Sequence, residues 1–247
     1  MEQRRLAAII FAAILLVGFA TSGWAVDGTI EINQACILNA ACSAIACGGT
    51  GHFPCAISAS GSYRLTSNLT VSSSSTNAIT VTASNVTIDL NGFTITGGGS
   101  GGSGIGISAS GMNDVTVKNG GVTAFEVGVW VGTNSIVSGV HADSNYNGII
   151  AGGGADANSI VKGCTANHST NVGIYCFLNS CVVSGSSANN GAYGVYIAGS
   201  SALVLNDTIV SNSQYGLFAS DTTTGYGQNV IFGNTVGNVS GGTSMGP

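Results

Sequence analysis

Residues 194–219 read GVYIAGSSALVLNDTIVSNSQYGLFA, so Gly194-Val195-Tyr196-Ile197 returns 22 residues later as Gly216-Leu217-Phe218-Ala219. The same Gly–apolar–x–apolar signature stands earlier at Gly104 (GIGI), Gly128 (GVWV), Gly148 (GIIA) and Gly173 (GIYC). The gaps are 24, 20, 25, 21 and 22 residues. Each unit carries a second apolar cluster, such as "SIVSGV", "CVVSGS" or "ALVLND", and then an Asn-, Ala- and Ser-rich stretch. Such a unit holds two or three short period-2 strands separated by turn residues. A single unit cannot bury both its faces, but stacked units can, because each strand pairs with its equivalent in the next coil. The expected fold is all-β: a right-handed parallel β-helix solenoid of about 22 residues per coil. A β-sandwich is the structural rival, but it has no need of a register that returns six times.

Alternation assigns the faces. Ile105, Val129, Ile149, Ile174, Val195 and Leu217 follow the glycines and should point inward, as should Ile107, Val131, Ala151, Cys176, Ile197 and Ala219 two places on. The residue between them then faces out: Gly106, Trp130, Ile150, Tyr175, Tyr196 and Phe218. That column is a ladder of flat rings, with Tyr193 and Tyr215 beside it. It reads either as a stacking platform for sugar faces or a partner protein, or as cross-strand packing that steadies the sheet. The segments "DTTTGYGQ" and "TGGGSGGSG" are candidate covers for it.

Composition narrows the function classes. Charged residues make up 6% of the chain, with 39 Gly and 2 Pro. This excludes long amphipathic helices with Lys- and Glu-rich faces and the high-charge composition of disordered chains. Residues 1–25 carry Arg4 and Arg5, an apolar run from Leu6 to Phe19, and Gly23 and Ala25 as small cleavage-site residues, which reads as a secretory signal. Its removal takes away two positive charges and one negative, so the formal net charge moves from −5 to −6. Nucleic acid is therefore not an expected partner. No stretch of the mature chain is long enough to span a bilayer.

All seven cysteines follow the signal, so disulfides are the default. Cys36, Cys42, Cys47 and Cys55 are expected to staple an N-terminal cap over residues 26–60, and Cys176 and Cys181 to close a small loop. The solenoid then occupies residues 61–247. Gaps of 5, 4 and 7 residues between the first four cysteines match no common zinc spacing. No metal and no cofactor are expected.

Catalytic signals are weak. Gly97, Gly99 and Gly102 fit a dinucleotide glycine motif, but no helix pattern follows. Gly242, Ser244 and Gly246 fit a nucleophile elbow without a later Asp or His. Asp143 and His168 each stand five residues before a repeat glycine and are the weak catalytic candidates. Anchoring on Gly139 and Gly163 instead aligns Asp143 with Asn167. Glu31 reads as a solvated helix-start carboxylate, and Arg64, Lys118 and Lys162 as scattered. Asn145, Asn167, Asn190 and Asn212 recur near one corner, as an internal ladder would.

From "GSYRLTSNLTV" through "SNVTIDLNGFTITG" to the last repeat, the chain resembles the bacterial secreted parallel β-helix proteins of the pectin-lyase-like superfamily. The resemblance implies fold more than activity, because that superfamily mixes lyases, hydrolases, adhesins and proteins of other roles. Its polygalacturonase-like members carry Asn-Thr-Asp, Asp-Asp, Gly-His-Gly and Arg-Ile-Lys elements, and none occurs here. The expected function is that of an exported, non-catalytic protein at the cell surface, outside the cell or in the periplasm. It would bind polysaccharide or a surface protein through Trp130, Tyr175, Tyr196 and Phe218. The alternatives are a polysaccharide lyase or glycoside hydrolase acting on acidic polysaccharide, and a purely structural, self-assembling module.

Overall fold

A computed structural model of the chain describes residues 28–39, 47, 51–153 and 158–246. The expected signal segment and Cys42 lie outside these. The described chain is a parallel β-solenoid. One sheet has nine strands, from Cys55–Ile57 through Val127–Val131, Asn147–Ala151, Val172–Cys176, Tyr193–Ile197 and Tyr215–Ala219 to Gly237–Ser240. Its strands pair in parallel at offsets of 20 to 28 residues. A second sheet of twelve strands runs alongside, with Val115–Thr123, Ile136–His141, Ile160–Lys162, Val182–Ser184 and Leu203–Leu205 in its middle. A narrow third face carries Thr94–Thr96, the end of Val115–Thr123, single bridges of His141 with Thr165, Thr165 with Ser187 and Ser187 with Thr208, and the pair Thr208–Val210 with Val230–Phe232.

The core follows from aliphatic residues at alternate positions. Val129, Ile149, Ile174, Val195 and Leu217 are fully buried on the first sheet, and Val117, Val137, Val161, Val183 and Val204 on the second. Each contributes about 1.5–3 kcal/mol by leaving water, which holds the stack together with very few ion pairs.

The signature glycine has a steric cause. A Cβ on Gly148 would lie 2.5 Å from the carbonyl oxygen of Gly173, and one on Gly194 would lie 2.7 Å from that of Gly216. The next coil is pressed against the strand there. Asn238 takes the equivalent position in the last described coil and itself crowds Gly216 from the far side. The corners are made by left-handed residues in register. Asn119, Gly139, Gly163, Gly185, Asn206 and Gln228 hold φ between 56° and 60°. Ala124, Ser144, His168, Asn190, Ser211 and Gly233 hold φ between 55° and 68°. Asn, Gly and His tolerate this region better than most residues.

Beneath the corners a polar ladder satisfies backbone groups. The buried Asn145 takes the N–H of Phe125 and donates to the carbonyl of Val122. Asn212 takes the N–H of Gly191 and donates to the carbonyl of Ala188. Asn234 continues the column. Asn167 and Asn190 do not belong to it: Asn167 caps backbone on the outside, and Asn190 occupies a left-handed corner.

At the N-terminal end, strand Thr29–Ile32 pairs with Gly61–Leu65, and the short helix Gln34–Ile37 seats Ile37 in the core. Asn33 caps that helix by accepting from the N–H groups of Ala35 and Cys36. Glu31 therefore lies in a strand rather than at a helix start, and its carboxylate stands 3.7 Å from Arg64. Cys47 is bonded to Cys55 and Cys176 to Cys181. Cys36 is disulfide-bonded as well.

Candidate functional site

Strand alternation places the rings outside. Val195 and Ile197 are fully buried, and Tyr196 between them is half-buried on the outer face. The register stacks Trp130 on Ile150, Ile150 on Tyr175, Tyr175 on Tyr196 and Tyr196 on Phe218. One expected position is displaced. Trp130 pairs with Ser108, not Gly106, and Val129 pairs with Ile107. The repeat glycine of that coil is Gly106, whose absent Cβ faces the carbonyl of Gly128. Ile105 therefore lies outside the inward column. The sequence "GIGI" offers two glycines two residues apart, and only the packing of the next coil chooses between them.

The rings form one cluster at the C-terminal end of the column. Tyr196 and Phe218 are stacked, with centroids 4.8 Å apart and planes at 27°. Tyr193 and Tyr215 are stacked at 6.4 Å and 21° in the neighbouring outward column. Tyr193 meets the edge of Phe218 at 6.0 Å, and Tyr175 meets Tyr196 edge to face at 5.2 Å. Burial raises the phenol pKa of Tyr175, and the neighbouring Tyr196 adds to the shift. Phe177, 45% exposed, extends the cluster against Tyr175 at 5.6 Å. Sequence reasoning missed Phe177; the Cys176–Cys181 bridge around the loop it opens was the available signal. Trp130 stands apart, separated from Tyr175 by Ile150, and its buried indole N–H has no acceptor among the described residues.

Neither expected cover lies over the rings. Gly98 and Gly102 pack against Ser72 to Ser74, and "DTTTGYGQ" contributes strand Gly225–Gly227 to the other sheet.

Asp143 and His168 are not brought together as a pair. Asp143 aligns with Asn167, taking its N–H at 2.7 Å, whereas His168 occupies the left-handed corner. The histidine that does stand near Asp143 is His141, two residues back on the same strand side. Its Nδ1 is 3.0 Å from the Thr165 hydroxyl, which donates to Asp143 at 3.1 Å. The i, i+2 spacing in His141-Ala142-Asp143 carried that information.

The cations are not scattered either. Arg64, Asp89, Lys118, Ser138 and Lys162 stack in one column of the second sheet. Lys118 stands 3.4 Å from Asp89.

Among the described residues, no three His, Cys, Asp or Glu side chains gather at one point. Cys164 is buried, and burial pushes its thiol up to about 11. No described helix is long and apolar enough to cross a membrane.

No curated protein and no solved structure matches the chain. One family model does, "Periplasmic copper-binding protein (NosD)", over residues 74–245. Copper is held by thiolate, thioether or imidazole groups converging on one point. Here Cys36, Cys47, Cys55, Cys176 and Cys181 are in disulfides, Cys164 is buried, and His141 and His168 stand in different columns, so these residues do not form a copper donor set with one another. The periplasmic description agrees with an exported chain. Because the match takes in the greater part of the sequence and nearly all of the solenoid, the chain belongs to the NosD family.

Proposed function

We propose that this protein is an exported, non-catalytic binding module that holds a glycan against the outer face of its first sheet. The observation that carries this is the in-register stack of Tyr175, Tyr196 and Phe218, flanked by Tyr193 and Tyr215, with Trp130 two coils away in the same column. Aromatic rings offer sugars a flat apolar body, and tyrosine adds a polar tip. Membership of a periplasmic family supports export. The Asp143 carboxylate is engaged by the Thr165 hydroxyl and the Asn167 N–H, and among the described residues it makes no hydrogen bond or ion pair with His168, which supports a role without hydrolysis. A glycan array probed with the mature protein tests this. Replacing Tyr175 and Tyr196 with Ala, with far-ultraviolet circular dichroism unchanged, should abolish retention. Retention undiminished in that variant would remove the aromatic face from the proposal.

Assembly through the solenoid surface is the second reading. It rests on Val230 and Phe232, which are 51% and 59% exposed on the third face. A monomeric mass under native conditions at high concentration would reject it.

A further inference from the structure

We infer that the ligand of the aromatic face is uncharged, an inference that rests on the glycan proposal above and narrows it to neutral saccharides. Three observations carry it.

The first concerns the face itself. Its two outward columns run from Ile105 and Ser108 to Tyr215 and Phe218 and hold apolar, aromatic, Ser and Asn side chains only. The ionisable groups nearest in sequence are Glu126, just before strand Val127–Val131, and Asp221, just after strand Tyr215–Ala219. Both are carboxylates.

The second concerns the cations. Arg64, Lys118 and Lys162 are the only Lys and Arg residues after residue 25. All three stand in one column of the other sheet, and Glu31 and Asp89 pair with the first two. None is available to the rings.

The third is overall charge. The chain without residues 1–25 is net negative, so a polyanion meets repulsion on approach.

A uronic-acid or sulfated sugar laid on these rings would give up water around its charge and gain no cation in return. Burying an unpaired charge is expensive. A neutral sugar gives up water over its apolar plane, keeps its hydroxyl edges wet and gains ring contact. The selectivity therefore comes from what the face omits, which is a form of discrimination against the wrong partner.

The experiment compares retention of the mature protein in gels containing a neutral hexose polysaccharide and a polyuronate. Each gel is run at ~10 mM and ~1 M salt, across which the screening length falls from about 30 Å to 3 Å. The expected result is retardation by the neutral polymer that changes less than about twofold with salt and is lost in Tyr196→Ala. The polyuronate should give at least ~10-fold weaker retardation at low salt, where repulsion is least screened. Stronger retention on the polyuronate, weakened by salt and by Lys162→Ala, overturns the neutral class while leaving glycan binding standing. Retention on neither polymer overturns both.

Discussion

Asp207→Asn is expected to stabilise the protein at neutral pH and to remove much of its pH dependence. Asp207 is 2% exposed. It belongs to an interior column in which each side chain takes the backbone N–H of the coil before it. Ser186 takes that of Cys164 at 3.2 Å, Asp207 takes that of Ser186 at 2.7 Å, and Asn229 takes that of Asp207 at 2.8 Å. Asn229 uses its other arm to donate to the carbonyl of Val204 at 2.7 Å. The equivalent arm of Asp207, Oδ2, has no partner among the described residues. Burial pushes its carboxyl from 3.8 up to about 7, against the pull of backbone N–H groups. The folded chain thus keeps a proton that the unfolded chain releases between pH ~4 and ~7. Stability from this group is present below the unfolded value and is lost as pH rises through the folded one. Three pH units at 1.36 kcal/mol each put the loss on the order of 4 kcal/mol. Asparagine brings its own N–H and cannot ionise. Urea unfolding of parent and variant at pH 4, 6 and 8 checks this. The two should nearly coincide at pH 4, and the variant should lead by several kcal/mol at pH 8 with an unchanged m-value. A difference independent of pH would refute the assignment of a buried, protonated Asp207.

Two other outcomes test the stacking and the metal. Gly148→Ala should lower stability by about 1–3 kcal/mol, because its Cβ would meet the Gly173 carbonyl and the side chains of Ala166 and Ser169; a thermal midpoint equal to the parent's would mean the coils are not pressed together there. The mature, oxidised protein should hold less than one equivalent of Cu(II) or Cu(I) after dialysis against a competing chelator, measured by elemental analysis. One retained equivalent that disappears in His141→Ala would show a donor set assembled around that histidine.

The period and the inward columns were legible because they depend on a residue class recurring at one spacing. Ile149, Ile174, Val195 and Leu217 are aliphatic whichever coil they stand in, and all four are buried. The register of the coil around Gly106 was not legible. The choice between Gly104 and Gly106 is made by the carbonyl of Gly128 and the side chains of Val122 and Phe125, which crowd any Cβ there. The cation column escaped for a related reason. Arg64, Lys118 and Lys162 lie on a strand whose spacing from the signature glycine varies with each turn, so counting back from glycine misaligns them. His168 resembled a site residue because corner positions also favour His, and its backbone at φ 55° is the reason it is there.

Stacking alone does not call for aromatic rings. The second sheet has its own outward column, in which Ile136 pairs with Ile160, Ile160 with Val182 and Val182 with Leu203. Those aliphatic side chains cover the sheet and support neighbouring coils at the same spacing of about 4.8 Å. They do so with no polar atoms to satisfy. The first sheet instead carries Tyr175, Tyr193, Tyr196 and Tyr215, whose hydroxyls need water or a partner. Tyr175 is already partly desolvated by its neighbours. A face built only to hold coils together would gain nothing from those hydroxyls. A face that receives a ligand with apolar planes and hydroxyl edges uses both parts of the tyrosine. The contrast between two sheets of one solenoid, folded by the same repeat, supports the binding proposal over support alone at these positions.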